Sequence, residues 1–349
     1  MNLTYQKFGG INLSDPFFDS LKSDYAEFEH WFARKADEFA YVFYGDAGEI
    51  DGFLYLKIEN EAIDDVDPPL PPACRVKVGT LKINPHGTRL GERFLKKIFD
   101  HAVTQDAAEI YVTVFEKHAA LVALFQRYGF EHRASKTTPN GIELVLVKVM
   151  GSVDGGVLER YPLVAAGNNS MYLLSLYPQW HTRLLPDSIL NNEHASIVQD
   201  VSHTNSIHKV YLASMRGMEN LRQGDIILIY RTSDMAGPAH YRSVATSICV
   251  VEEYRNIRSF RSRGEFMTYC APYSVFSSDE LNDFWDRKRY PHVIRFTYNF
   301  ALPKRVTRGT MIEDLGFDPS SYWGFMPLTF KQFQAVISAG GLDEGLIIN

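Results

Sequence analysis

Residues 76–95 read VKVGTLKINPHGTRLGERFL, and two periodicities meet in them. Val76, Val78, Leu81 and Ile83 follow strand alternation, Pro85 and Gly87 break it, and residues 93–102 continue at helical spacing with Phe94, Leu95, Ile98 and Phe99 on one side. The stretch therefore predicts a strand passing through a glycine turn into a helix. A helix start leaves backbone N–H groups unpaired, here from about Thr88 to Glu92, and with the helix dipole they suit a pyrophosphate. The candidate cradle is His86, Gly87, Thr88, Arg89, Leu90, Gly91 and Glu92. Gly87 and Gly91 equally suit tight turning and close packing alone.

The next residues narrow the choice. EIYVTVF (109–115) is a second alternating strand, and residues 118–128 have helical spacing through Leu121, Leu124 and Phe125, closed by Gly129-Phe130. In this combination, residues 76–149 resemble the acetyl-CoA-binding core of the GNAT N-acetyltransferase superfamily. Its turn motif is Gln/Arg-x-x-Gly-x-Gly/Ala; His86 stands where Gln or Arg is usual, Arg89 where the first Gly is usual, and Gly91 matches. The resemblance implies an α/β domain with a mixed central sheet and acetyl-CoA as acyl donor. It also implies that residues 79–83, among them Leu81, Lys82 and Ile83, offer backbone hydrogen bonds to the pantetheine arm, an N–H near Leu81 polarising the carbonyl. Many members carry a tyrosine general acid four residues before the Gly-Phe pair, where this chain has Phe125, and Tyr128 is rotated away from that position. The resemblance puts Glu116 and His118 where the two central strands splay. Glu116 could act as base through water or face solvent; His118 could cap the following helix or touch the cofactor.

The chain is long enough, at 349 residues, for two cores, and its 45% hydrophobic content comes without a long apolar run. No transmembrane segment is expected, and MNLTYQKFGG has no basic-then-apolar signal, so a cytoplasmic location is the default. Cys74, Cys249 and Cys270 lack CxxC spacing and read as reduced thiols, with no metal site expected. The net charge of -6 argues against indiscriminate polyanion binding. Residues 15–35 place Phe17, Phe18, Leu21, Tyr25, Phe28, Trp31 and Phe32 three and four apart, a stripe that reads as core helices. Residues 39–44 and 50–58 read as a hairpin. EAIDDVDPPLPP (61–72) reads as an exposed connector, or as a mouth where Asp64, Asp65 and Asp67 attract a cationic amine.

GSVDGG (151–156) reads as a link between domains at 1–150 and 157–349. Beyond it, apolar runs at 171–176, 209–213, 225–230, 244–251 and 293–298 predict a small, partly open β-rich barrel with a few helices. LRQGDIILIYRT (221–232) and the element order resemble the PUA-like group, including the ASCH and EVE families, which implies binding of RNA or a modified base. Of the 19 Lys and Arg after residue 150, 15 are arginine, suited to phosphate and to stacking on bases. Trp180, His181 and Arg183, with Arg231 ending the motif, are the candidate nucleic-acid residues, Trp180 as a stacking platform or as core. The expected activity is acetyl transfer from acetyl-CoA to an amine, the acceptor carried by or associated with RNA or a nucleotide. The alternative is a non-catalytic nucleic-acid sensor with a regulatory acyl-CoA domain.

Overall fold

In the computed structural model, which describes residues 2–45, 47–84, 90–185, 188, 206–234 and 237–348, the chain divides into two compact units, residues 1–152 and 153–349. The first unit runs β1 (Asn2–Lys7), α1 (Asp19–Asp24), α2 (Phe28–Arg34), β2 (Phe39–Tyr44), β3 (Ile50–Glu59), β4 (Arg75–Ile83), α3 (Leu90–Thr104), β5 (Glu109–Phe115), α4 (Ala119–Arg127), β6 (Glu131–Thr138) and β7 (Gly141–Val149). Its mixed sheet has the order β1-β2-β3-β4-β5-β7-β6. β4 and β5 pair in parallel, as strands joined through a crossover helix must, and every other neighbouring pair is antiparallel.

Alternation on β3 assigns the two faces of this sheet. Phe53 packs with Phe8, Phe17, Phe18, Phe28 and Phe32, so the four phenylalanines of the stripe at 15–35 are core, while Leu21, Tyr25 and Trp31 are partly buried beside them. Gly52 turns the other way, toward α3. A Cβ there would lie 2.4 Å from the Phe94 ring and 2.9 Å from Leu90, so glycine is what lets the helix start approach the strand. Phe94, Leu95, Ile98 and Phe99 are all buried, as the spacing predicts. Gly129 closes α4 with φ +78°, the left-handed conformation that glycine adopts without cost.

Residues 61–72 are mostly exposed, as the connector reading expects, but two apolar residues anchor them. Ile63 and Val66 are buried against Tyr111, Ala134, Val145 and Val147. Backbone pairs tie Ile63 to Leu70 and Asp67 to Ser135. Arg75, 1% exposed, fastens the segment from below: its Nε donates to Glu109 Oε2 at 2.5 Å and its Nη2 to the Pro71 carbonyl at 2.6 Å. Asp65 is drawn to Lys136, at 2.5 Å.

The second unit runs α5 (Val157–Arg160), β8 (Val164–Ala165), β9 (Met171–Leu176), α6 (Pro178–Leu184), β10 (His208–Ala213), β11 (Ile226–Arg231), α7 (Ala239–Arg242), β12 (Val244–Asn256), α8 (Arg263–Cys270), α9 (Ser278–Arg287), β13 (His292–Thr307), α10 (Arg308–Glu313), β14 (Phe325–Leu328), α11 (Phe330–Ala339) and β15 (Ile347–Ile348). All five apolar runs became strands of one six-stranded sheet, β10-β13-β12-β11-β9-β14. Its edges, β10 and β14, are not paired with each other among the described residues, so no closed sheet is formed there. β12 and β13 are long and carry three register shifts, whose bulges bend and twist the strands without closing them. The sheet core takes in Phe266, Cys270 and Leu281 from α8 and α9. Capping boxes start α9 (Ser277 with Glu280) and α11 (Thr329 with Gln332). No described helix is long and apolar enough to cross a membrane.

Candidate active site

The centre of the first sheet opens. β4 and β5 pair from Arg75 opposite Glu109 to Val78 opposite Val112, and the ladder stops there. Each strand continues with its outer neighbour: β4 stays on β3 as far as Ile83 opposite Gly52, and β5 stays on β7 as far as Phe115 opposite Glu143. The register of β3 on β4 skips Gly79, which bulges at the point of separation. A Cβ at Gly79 would lie 2.6 Å from the Tyr55 ring. Beyond Val78, the β4 peptide groups that turn toward β5 have no strand partner there.

The gap leads into a cavity of about 290 Å³. Val78, Gly79, Thr80 and Leu81 of β4 and Val112, Thr113 and Val114 of β5 form its strand walls. Leu21, Tyr25, Glu27, Phe28 and Trp31 close one side, and His118, Leu121, Lys136, Thr138, Asn140 and Glu143 another. Asn140 Nδ2 donates to both Glu27 oxygens, at 3.0 and 3.2 Å, and this bond holds the Glu27 carboxyl below the usual range despite partial desolvation.

Of the residues expected from sequence, Leu81 lines the cavity, while the Lys82 ammonium turns to the Phe17 carbonyl and to Ser20 Oγ, 2.5 Å away. Ile83 ends β4. His86, Gly87, Thr88 and Arg89 lie outside the described residues. At the start of α3, Leu90 is buried; a Cβ on Gly91 would lie 2.8 Å from Leu124, so Gly91 sits against α4, and a side chain added there would meet Leu124. Glu92 is buried with Oε1 3.5 Å from Arg127. Phe125 is fully buried against Phe130, with ring centres 4.8 Å apart, and Tyr128 is fully buried near Phe99, so neither reaches the cavity wall.

Glu116 is exposed and does not line the cavity, so its carboxyl is not placed for the base role there. His118 is the N-cap residue of α4, but its side chain makes no cap bond; Nε2 lies 3.2 Å from Asp24 Oδ2 at the cavity wall. Two residues that sequence reading did not single out for chemistry meet here. The Tyr25 hydroxyl donates to Glu143 Oε1 at 2.6 Å, and the Tyr25 ring stacks on Phe115 at 5.3 Å. Glu143 is 4% exposed. Burial first, then the bond to Glu143 and its charge, push the Tyr25 hydroxyl well above its ordinary value. The available signal is in GIELVLV: alternation puts Glu143 on the same face as Val145 and Val147, both buried, and leaves Ile142 exposed.

In the second unit the expected nucleic-acid residues divide between partly buried and buried positions. Trp180 packs edge-on against Phe276 at 5.0 Å, with the Arg183 guanidinium 5.5 Å from its ring centre. His181 is fully buried, Nε2 2.8 Å from Thr246 Oγ1, and Arg231 is buried too. Burial, reinforced by the Arg231 and Arg305 charges, pushes the His181 imidazole down to about 3. The unfolded chain therefore takes up a proton at His181 near pH 6.5 that the folded unit refuses. Stability contributed by this group is present above that pH and falls by about 1.4 kcal/mol per pH unit as pH drops toward 3. Urea unfolding of the second unit at several pH values between 4 and 7 checks this: His181→Gln is expected to flatten the slope, and an unchanged slope would remove His181 as its source.

No family model matches the chain, and no curated protein matches it. Solved structures do resemble its parts. Chaetomium thermophilum Naa20 in complex with a bisubstrate analogue is 15% identical, the match covering 43% of this chain and 87% of Naa20 with a TM-score of 0.31. The NatC complex bound to Gag peptide and CoA is 15% identical over 42% of this chain and 98% of the matched chain, TM-score 0.29. ASCH from Zymomonas mobilis is 10% identical over 48% of this chain and 94% of its own, TM-score 0.30.

Proposed function

We propose that residues 1–152 transfer an acetyl group from acetyl-CoA to an amine. The observation that carries this reading is the parting of β4 and β5 after Val78 and Val112 over a lined cavity. A slender acyl-bearing arm can lie between the strands, where the peptide groups of residues 79–81 replace the lost ladder, and the bulged Gly79 lets β4 pass close to the Tyr55 ring of β3 as it leaves β5. Acetyl-CoA would supply an activated thioester. The Leu81 backbone polarises a carbonyl held beside it, the start of α3 favours negative charge, and the Glu27 and Glu143 carboxyls, with Lys136 engaged by Asp65, suit the cavity to an amine that arrives protonated. Proton-handling groups inside the cavity support catalysis over the regulatory-scaffold alternative, which the buried Phe125 alone would have favoured.

The test is release of the CoA thiol by the full chain from acetyl-CoA, with spermidine, phenethylamine and an N-terminally free tetrapeptide as acceptors. Acceptor-dependent release is expected with at least one of them; release that never exceeds hydrolysis would overturn the reading.

A further inference from the structure

We infer that Tyr25 and Glu143 form the proton shuttle of this site: Glu143 takes the proton the acceptor nitrogen loses, and Tyr25 supplies the one the departing sulfur needs. The inference rests on the acyl-transfer reading and deepens it.

The two residues are far apart in sequence and come from unrelated elements. Tyr25 lies in the turn between α1 and α2, and Glu143 lies on β7 opposite Phe115, at the end of β5 that β4 has left. Both face the cavity, and the 2.6 Å bond between them sits on its wall. A carboxylate this buried is expensive unless paired, yet among the described residues no cation lies within ion-pair distance of Glu143; its side-chain partner is the Tyr25 hydroxyl. A neutral side chain on the Val145 and Val147 face would pack there at lower cost. A buried carboxylate and phenol held together at a cavity wall are the kind of arrangement that active sites retain for chemistry.

The step balances within the pair. The ammonium first gives one proton to solvent; the lone pair of the neutral nitrogen then forms the C–N bond to the acyl carbon, the C–S bond breaks, and its electron pair stays on sulfur. The proton leaving nitrogen goes to the Glu143 carboxylate, the Tyr25 hydroxyl proton goes to sulfur, and the proton on Glu143 crosses the existing hydrogen bond to the Tyr25 oxygen. One proton has moved from nitrogen to sulfur, and both side chains are restored. The order is built in. Burial makes Tyr25 a weak acid, and the bond to charged Glu143 and its charge make it weaker still; a proton arriving on Glu143 removes that charge and lets the shared hydrogen bond reverse, which strengthens the phenol as a donor. The arrangement also accounts for Phe125: with the donor on the α1–α2 turn, the α4 position is free to serve the core.

Tyr25→Phe keeps the ring that stacks on Phe115 and removes only the hydroxyl, and Glu143→Gln keeps the shape of the acceptor. In the thiol-release assay with the same three amines, each variant of the full chain is expected to lower kcat by about 100-fold or more, leaving acetyl-CoA affinity by calorimetry within about threefold. The double variant is expected to be no slower than the slower single one, because the two groups act as a unit. Melting temperatures are measured alongside; if Glu143→Gln fails to fold, Tyr25→Phe decides alone. Wild-type turnover with Tyr25→Phe within about threefold of it, or losses that multiply in the double variant, would overturn the shuttle and leave acyl transfer standing. A wild-type protein inactive with every amine would overturn the acyl-transfer reading and the shuttle with it.

Discussion

Arg75→Met is expected to lower the unfolding free energy of the first unit by about 3 kcal/mol or more, among the largest single-residue losses in the chain. The methionine fills much of the arginine's volume, so the loss isolates the polar contacts. The Pro71 carbonyl loses its donor, the Glu109 carboxylate loses its cation, and the fold of residues 61–72 over Tyr111 and Val145 loses its fastening. Glu109→Gln is expected to cost less, because that side chain is 24% exposed and water can reach it. Urea denaturation with limited proteolysis of residues 61–72 checks both; a loss under about 1 kcal/mol for Arg75→Met would show that the segment holds itself in place.

Thr113→Trp is expected to weaken acetyl-CoA binding by at least about 100-fold, or 2.7 kcal/mol, with little loss of stability. Thr113 lies on β5 just past the last residue paired to β4, lines the cavity and is only partly buried, so an indole there grows into the gap and not into the core. Binding within threefold of wild type by titration calorimetry, in a variant of unchanged melting temperature, would show that the acyl arm lies elsewhere. Substitution at Gly91 is a poorer probe, since any side chain there first meets Leu124.

Elements governed by local periodicity were legible. The strand at 76–83, the helix through Phe94 and Phe99, the strand at 109–115 and the Gly129 stop follow from spacings within windows of about ten residues, and the five later apolar runs were found by the same signal. What depended on distant partners was not legible. Residues 61–72 look solvated because they are acidic and proline-rich, yet Ile63 and Val66 are buried by Tyr111 and Val147, strands that lie far along the chain. Strand positions alone do not say whether the outer strands meet, so the degree of closure of the partly open barrel was not legible. The YPQWHTR sequence could not show which way its seven-residue helix faces; His181 is fully buried, while Trp180 is partly buried against the core. Tyr25 was read as part of a core stripe, which its stacking on Phe115 partly bears out; its second role needed Glu143, which only the folded sheet brings to it.

The central claim is that the parted strands β4 and β5 hold the acyl donor, and titration calorimetry of acetyl-CoA into the full chain tests it most directly. The account predicts one saturable site in the first unit with a dissociation constant on the order of micromolar, weakened at least about 100-fold by Thr113→Trp and kept by Tyr25→Phe. No saturable binding up to about 1 mM, or binding that Thr113→Trp leaves unchanged, would contradict it.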